Sequence, residues 1–348
     1  MQALVTGASG FLGYALIREL TEAGVSVIAA IGPAQSEIET RRALDLKEQG
    51  IRRVALELRR ERPLDEVPTE WDTLFHLAAY VRTEEESEDV HVNDVGTARL
   101  LAQLPLAAKR VVYTSTLAVA DNAPTGCIAP DTVCQPQTAY GKSKLAAEAI
   151  VRERCEANSA AHTIVRMPTL YGPGFRYGGM FDVLPKRLAR RDPMARLAWP
   201  GRLALLAVQD AARLVFRAAG DSRTNGRTFL ASSNENPATW QIAEAIASAT
   251  GSSYRALPFP GAATTVLRAV LGTWWQASVV PYALQIAAWR ARLLINGLYC
   301  DGSELGQLLD LTYRDWREGV ARMYAEDPRH GGQDKGPRAV HGRCAATD

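Results

Sequence analysis

Tyr140 and Lys144 are the first residues of this sequence whose types and spacing suggest chemistry, and they lie four positions apart in the stretch TAYGKSKLAAE. After Tyr140 this stretch is rich in Ala, Leu, Lys and Glu and has no proline, so it predicts one helix with both side chains on one face. A fixed ammonium beside a phenol favours the phenolate and lowers the phenol pKa from about 10. The pair predicts a tyrosine that exchanges a proton with a substrate oxygen near neutral pH. Because surface helices also contain such pairs by chance, the neighbouring elements must support this prediction.

A glycine-rich turn near the N-terminus gives that support. Gly7, Gly10 and Gly13 follow an apolar strand at residues 3–5 and open a helix predicted from Phe11 to Ala23. Glycine lets the backbone approach a pyrophosphate, and a helix N-terminus supplies unpaired N–H groups and a positive dipole end. The arrangement of strand, turn and helix predicts a dinucleotide-binding site.

Strands and helices alternate through the first half of the chain. Apolar, β-branched runs predict further strands, and a helix is predicted to start in the acidic run Glu84–Asp89 and continue through Asn93–Leu101; the strands are Val25–Ile31, Val54–Leu58, Trp71–Ala79, Lys109–Thr116 and His162–Met167. This alternation predicts an α/β fold with a doubly wound parallel sheet of the Rossmann type. His76 lies inside one of these strands and is expected to be a packed, hydrogen-bonded core residue.

The end of the second strand leaves the choice between NAD and NADP open. Dinucleotide folds often place a carboxylate there for the ribose hydroxyl, or an arginine nearby for a 2′-phosphate. Residues 30–33 are Ala-Ile-Gly-Pro and supply neither. Arg41 and Arg42 follow, but a solvated helix face explains them equally well.

With these elements placed, the chain resembles the extended short-chain dehydrogenase/reductase family, which includes NAD-dependent epimerases and dehydratases and 3-beta-hydroxysteroid dehydrogenase-like enzymes. The matching motifs occur in family order over roughly the first half: TGASGFLG at 6–13, HLAA at 76–79, N-x-x-GT at 93–97, YTST at 113–116, YGKSK at 140–144 and R-x-PTLYGPG at 166–174. Farther on, residues 205–214 resemble the family's returning strand, and YCDGSELGQLL and WREGV resemble its terminal helices.

The resemblance implies roles for individual residues. Tyr140 is the implied acid/base, Lys144 holds the cofactor ribose, and Thr116 stands where the family has its carbonyl-binding hydroxyl. The other implied cofactor-binding residues are Gly7, Gly10, Phe11, Leu12, Gly13, Glu57, Leu58, Leu77, Ala78, Ala79, Asn93, Met167 and Thr169. Two hydroxyl donors aimed at one substrate oxygen would stabilise the charge that develops on it.

The second half of the chain is expected to build a smaller substrate domain. The predicted boundaries are 1–170 plus about 201–232 for the dinucleotide domain, and about 171–200 plus 233–326 for the substrate domain. Relatives that use sugar nucleotides clamp a diphosphate with arginines, the natural phosphate ligands. In this chain, only Arg202 is a possible counterpart of those arginines. This weakens a nucleotide-sugar interpretation without removing it.

Residues 269–289 contain no charged side chain and include Trp274, Trp275 and Trp289. The length reaches the ~20 residues of a membrane helix, but Pro281, Gly272 and two glutamines interrupt it. The segment is interpreted as core plus an apolar substrate lid, with a peripheral membrane contact, an oligomer face and a membrane span as alternatives.

Composition narrows the remaining possibilities. The 348 residues have a net charge of +2, which gives no reason to expect a nucleic-acid partner. The five cysteines have no metal-ligand spacing and are interpreted as reduced thiols of a cytoplasmic protein without a signal peptide, and no metal site is predicted. Residues 327–348 are predicted to be a disordered tail.

The leading hypothesis is an NAD(P)-dependent oxidoreductase that transfers hydride between nicotinamide and a secondary alcohol or ketone of an apolar small molecule. A nucleotide-sugar epimerase or dehydratase with the same residues is the first alternative. A non-catalytic dinucleotide-binding protein is the second. A homodimer is also considered.

Overall fold

Seven parallel strands form the central sheet of the computed structural model, which describes residues 1–59, 69–81, 88–175, 179–274 and 281–326. In chain order the strands are β1 (Gln2–Thr6), β2 (Ser26–Ile31), β3 (Arg52–Ala55), β4 (Thr73–His76), β5 (Arg110–Thr116), β6 (Cys127–Ile128), β7 (Ala161–Met167), β8 (Thr169–Tyr171), β9 (Arg202–Leu203), β10 (Leu205–Ala207), β11 (Arg227–Leu230) and β12 (Gly297–Cys300). The central sheet has the order β11-β7-β5-β4-β1-β2-β3. The order reverses between β1 and β4, and this confirms a doubly wound Rossmann sheet.

Helices cover both faces of this sheet and build the C-terminal part. They are α1 (Phe11–Glu22), α2 (Glu37–Glu48), α3 (Val95–Gln103), α4 (Ala139–Ala157), α5 (Met180–Ala189), α6 (Pro193–Arg196), α7 (Val208–Gly220), α8 (Thr239–Ala249), α9 (Gly261–Trp274), α10 (Tyr282–Ile295), α11 (Ser303–Leu308) and α12 (Trp316–Ala325). One core cluster joins the sheet to α1 and α7. Another joins it to α3 and α4. Two apolar layers therefore hold the sheet from both sides.

Several predicted boundaries need correction. The strands predicted at Val54–Leu58 and Trp71–Ala79 are β3 and β4, which end at Ala55 and His76, because the residues that follow leave the sheet to line a cleft. The predicted helix through Asn93–Leu101 is interrupted: a 3-10 helix covers Glu88–Val92, and α3 begins after Asp94, whose carboxylate accepts the Val95 N–H. Residues 82–87, which hold most of the acidic run, lie outside the described residues.

Residues 205–214 resemble the family's returning strand, and the structure forms only the first part of this stretch as a strand. Only Leu205–Ala207 is extended, and this strand, β10, pairs with β8 in a separate two-stranded sheet. The chain then turns into α7, whose apolar face packs on α1. The seventh strand of the main sheet is β11, which pairs with β7. Helical spacing of the apolar residues in α7 outweighs the short β-like run before it.

A separate apolar cluster lies in the region predicted to bind substrate. Its buried residues come from β8, α5, α6, β10, α8 and α12, including Tyr171, Phe181, Ile246 and Trp316. The segment 269–289 is divided between α9 and α10, and residues 275–280 are outside the described part of the chain. Within the described residues, no helix is both long enough and apolar enough to cross a bilayer. The predicted tail, 327–348, is also outside the description.

Candidate active site

The carboxyl ends of β1, β4 and β5 meet at one edge of the sheet, where His76 joins β1 to α3. Its ring is fully buried, with Nδ1 2.8 Å from the Thr6 hydroxyl and Nε2 2.8 Å from the Thr97 hydroxyl. Because Thr97 donates its own proton to the Asn93 carbonyl, it accepts from Nε2–H, so His76 is the neutral Nε2–H tautomer. Burial, with the nearby charge of Lys144, lowers the pKa of His76 to about 3. The prediction of a structural core histidine is confirmed.

The glycine turn brings the backbone of β1 against that of β4. Gly7 has φ +67°, and a Cβ there would lie 2.8 Å from the Ala78 nitrogen. At Gly13 a Cβ would lie 2.1 Å from the Gly7 carbonyl oxygen. The turn opens α1 at Gly10, which has no side chain to cap the helix. The first N–H groups of α1 therefore remain available to an anionic ligand such as a pyrophosphate.

The three predicted catalytic side chains converge on the same cleft. Thr116 ends β5, and Tyr140 and Lys144 lie in the first turns of α4, where the Thr138 hydroxyl caps the helix by accepting the Gly141 N–H at 3.0 Å. The Thr116 hydroxyl is close enough to Tyr140 to affect the pKa of its phenol. All three residues line the cleft, which has a volume of about 480 Å³. Two hydroxyl groups are therefore placed where they could bind one substrate oxygen.

The electrostatics of this group differ from the expectation. The Lys144 ammonium donates to the Thr114 carbonyl oxygen at 2.7 Å and lies 4.1 Å from the centre of the Tyr113 ring, so it is directed at the strand behind Tyr140. Burial raises the pKa of Tyr140 to about 12, and the nearby Thr116 hydroxyl partly offsets this rise. The structure therefore does not bear out the predicted lowering of the Tyr140 pKa by Lys144. Burial also lowers the pKa of Lys144 to about 7, although the Glu148 carboxylate opposes this shift.

Nearly all residues predicted to bind cofactor line this one cleft. They are Gly7, Gly10, Phe11, Leu12, Gly13, Glu57, Leu58, Leu77, Ala78, Ala79, Tyr140, Lys144, Met167 and Thr169. Asn93 is the exception. It is buried behind the wall, where its amide bonds both backbone groups of Tyr80 and the Ser143 hydroxyl at 2.8–3.0 Å. Asn93 thus supports the cleft instead of lining it.

Other lining residues had not been predicted from the sequence, among them Gln35, Glu39, Tyr80 and Phe175. Glu39 had a detectable signal in Ser36-x-x-Glu39, a capping-box spacing at the start of α2. Its carboxylate accepts the Gln35 N–H at 2.7 Å, and this places it beside the end of β2. Phe175 had no local signal, because it approaches Phe11 only through the fold, with ring centres 5.5 Å apart.

The arginines considered for phosphate are occupied elsewhere. Arg41 is exposed and paired with Glu37 at 2.5 Å. Arg42 is buried: it donates to the Gly174 carbonyl at 2.8 Å and covers the Phe11 ring. Arg202 donates to the Asn236 carbonyl at 2.8 Å and lies over the Tyr299 ring. None of the three is among the residues that line the cleft.

Comparison with known families agrees with this geometry. Residues 3–230 match the model of the NAD dependent epimerase/dehydratase family. The chain belongs to this family. The family is NAD dependent, and the fold of the chain is that of the extended short-chain dehydrogenases. The matched residues include the glycine turn, Thr116, Tyr140 and Lys144. The cleft also fits the cofactor, because the uncapped N-terminus of α1 can bind phosphate and the side chains of Thr116, Tyr140 and Lys144 line the same cleft.

Individual relatives of this family resemble the chain over shorter stretches. D-erythronate dehydrogenase of Cupriavidus necator is 26% identical over 194 residues, covering 49% of this chain and 55% of that protein. Sterol demethylase protein B of Methylococcus capsulatus is 32% identical over 157 residues, covering 42% of this chain and 45% of that protein. The chain spans about half the length of the curated relatives it matches.

Solved structures extend the likeness to the C-terminal helices. UDP-glucuronic acid 4-epimerase of Bacillus cereus, solved with UDP-glucuronic acid and NAD, has a TM-score of 0.74 at 20% identity, covering 94% of this chain and 98% of that one. UDP-glucose 4-epimerase of Thermotoga maritima has a TM-score of 0.71 at 17% identity with the same coverage. At such identity the likeness concerns the fold.

Proposed function

We propose that this protein oxidises or reduces a secondary alcohol or ketone of an apolar small molecule, with Tyr140 as the acid/base. The observation that supports this most is that the Thr116 and Tyr140 side chains line the wall of one cleft, with Lys144 buried behind them. When bound, NAD supplies the hydride acceptor and a cationic ring that favours the ionised phenol. The chain's own residues supply the proton transfer and the orientation.

In the direction of oxidation, the substrate hydroxyl would bind between the Thr116 and Tyr140 oxygens. Tyr140 takes the hydroxyl proton as the hydrogen on the same carbon leaves as hydride, and the carbon–oxygen bond becomes a carbonyl. Thr116 donates a hydrogen bond to the substrate oxygen throughout. Lys144 is held by the Thr114 carbonyl at 2.7 Å, and this fixes the position of its amine behind Tyr140. Reduction reverses each step.

The proposal assigns cofactor binding and substrate binding to different parts of the chain. We infer that residues 1–170 and about 201–232 bind the dinucleotide, and that about 171–200 and 233–326 bind the substrate. An apolar substrate is supported by the low charge of 269–289 and by the partial similarity to sterol demethylase protein B. Contact of 269–289 with a membrane or with a second copy of the chain stays a prediction.

A nucleotide-sugar epimerase or dehydratase is the second candidate. Similarity to UDP-sugar 4-epimerases over 94% of the chain supports it as much as the leading candidate at the level of fold. Against it, the guanidinium of Arg202 is engaged by Asn236 and Tyr299 instead of facing the cleft. A thermal-shift screen with NAD separates the two, since stabilisation by UDP or TDP sugars, and not by apolar alcohols, would favour the second candidate.

Tyr140→Phe tests the proposed chemistry. NAD binding by calorimetry should persist, whereas turnover, followed by NADH absorbance, should fall about 10²–10⁴-fold because the proton donor and acceptor is removed. Tyr254→Phe is the matched control, since that hydroxyl bonds the Trp240 carbonyl away from the cleft. Unchanged turnover in Tyr140→Phe would reject the mechanism. Binding of NAD without turnover of any alcohol, ketone or nucleotide sugar would favour a non-catalytic binding protein.

A further inference from the structure

The Asp121 carboxylate connects three segments that are distant in sequence. It is 5% exposed and lies directly after the short 3-10 helix Leu117–Ala120, which begins where Thr116 ends β5. One oxygen accepts the Gln137 N–H at 2.9 Å, just before the cap of α4. The other accepts the indole Nε1–H of Trp289 in α10 at 3.0 Å. One side chain thus joins the segment after Thr116, the segment before Tyr140 and a C-terminal helix.

The two segments that Asp121 joins are in tight contact. A Cβ on Gly141, next to Tyr140, would lie 2.5 Å from the Ala118 carbonyl oxygen and 2.7 Å from the Pro136 Cβ. Thr116 additionally caps its own 3-10 helix by accepting the Ala118 N–H at 3.2 Å. A small shift between these segments would therefore change the distance between the Thr116 and Tyr140 hydroxyls.

Helix α10 is attached to the same loop at further points. Arg292 donates to the Ala123 carbonyl at 2.7 Å, and Asn296 donates to the Pro124 carbonyl at 3.1 Å. Both bonds reach backbone oxygens, whereas Trp289 reaches the carboxylate that also bonds Gln137. Among these contacts, the Trp289 indole is the one that shares an acceptor group with the segment before Tyr140.

We propose that Asp121 is a positioning residue that fixes the Thr116 and Tyr140 hydroxyls relative to each other, and that Trp289 attaches α10 to it. The inference rests on the function proposed above, because it assigns Thr116 and Tyr140 their catalytic roles. It predicts that the C-terminal helices influence the rate of the chemical step through this carboxylate, while the glycine turn that serves the cofactor is left unaffected.

The bond depends on the ionisation of Asp121. Burial raises the pKa of this carboxyl to about 6, against the hydrogen bonds from Gln137 and Trp289 and the charges of Arg292 in α10 and Lys142 in α4. Above that pH both oxygens accept. Below it one oxygen carries a proton and becomes a poorer acceptor, so one of the two bonds weakens. The indole signal of Trp289 should therefore titrate near pH 6.

Two variants of the full chain test the proposal. Asp121→Asn keeps the shape but turns one acceptor into a donor, and Trp289→Phe removes the donor while leaving the Gln137 bond intact. Trp199→Phe is the control, because that indole also makes one bond, to the Met194 carbonyl at 2.9 Å, outside this cluster. Thermal unfolding and NAD binding, measured first, establish that each variant is folded.

The first readout needs no turnover: the ¹³Cζ resonance of Tyr140 in tyrosine-labelled protein, assigned with Tyr140→Phe. It should move in Asp121→Asn and Trp289→Phe but not in Trp199→Phe. The wild-type ¹⁵Nε1 signal of Trp289 should titrate near pH 6 and become independent of pH in Asp121→Asn. An unchanged Tyr140 resonance in both variants would overturn the proposal.

The second readout is the rate with a secondary alcohol. The value of kcat should fall about tenfold in Asp121→Asn and about threefold in Trp289→Phe, while the Kd for NAD stays constant, since small misplacement of catalytic groups is costly. Equal kcat in all variants would also overturn the proposal. If the wild type turns over no substrate but the Tyr140 resonance moves, the proposed function fails and the positioning role stands.

Discussion

The sheet that forms the cleft and the α9–α10 helices use their apolar residues in opposite ways. In the sheet half, even the charged Lys144 and Glu148 are enclosed. In α9 and α10, Val266 and Leu284 are 61% and 57% exposed. The comparison shows that the sheet half encloses even charged side chains, whereas the helices assigned to the substrate expose part of their apolar surface. Substitutions on this exposed surface should therefore leave the packing of the core unchanged.

Removing a buried charge partner should give the largest effect. Glu148 accepts two bonds from Arg166 and one from Arg152, each 2.9 Å long. Burial raises the pKa of Glu148, but the bonds and charge of Arg166 outweigh this and hold it below the usual range. Glu148→Gln should lower the free energy of unfolding by about 3–5 kcal/mol, because it leaves buried arginine charge without its partner. Urea denaturation measures it.

The matched comparison is Glu304→Gln, which removes the partner of Arg227 from a pair with both side chains largely exposed. This substitution should cost less than about 1 kcal/mol. Similar losses in the free energy of unfolding for Glu148→Gln and Glu304→Gln would contradict the contrast between the enclosed sheet half and the exposed surface.

The second-largest effect should come from the burial of Lys144, which makes the stability of the protein depend on pH. Its pKa is about 7 in the folded protein and 10.5 in the reference state. Between these values the unfolded chain binds more protons, so stability rises with pH. From pH 7 to pH 9 the wild type, without cofactor, should gain about 2 kcal/mol over Lys144→Met. Denaturation of both proteins across this range measures the difference, and a constant difference would show that Lys144 is solvated.

The smallest effect should come from the surface of α9. Val266→Ser replaces a side chain that is mostly in solvent, so the free energy of unfolding should change by less than about 0.5 kcal/mol. Val215→Ser, the same change in a fully buried position of α7, should cost more than about 2 kcal/mol, because it removes methyl packing and buries a hydroxyl. A comparably large loss in Val266→Ser would mean that α9 is covered in solution.

Local pattern was sufficient for much of the first half. Gly7, Gly10 and Gly13 occupy a turn that admits no Cβ at Gly7 or Gly13, and the Tyr140–Lys144 spacing places both side chains in the cleft. Strand ends were less predictable, because β4 stops at His76 where pairing stops, although the apolar run continues. The strand predicted at residues 205–214 is shorter for a related reason. Only its first three residues are extended, and the helical spacing of the apolar residues that follow favours α7.

The sequence by itself determined which groups are available for chemistry: a phenol and an amine one helical turn apart, a hydroxyl at a strand end, and a glycine turn before a helix. These follow from short-range geometry, since helix period and glycine freedom act within a few residues. Tertiary structure alone decided the pKa values of those groups and the direction of their side chains. Lys144 is directed at Thr114, thirty positions earlier in the chain, and Asp121 meets Trp289 across 168 positions. Burial and hydrogen bonding between distant segments set pKa values, and no local pattern records which segments will meet.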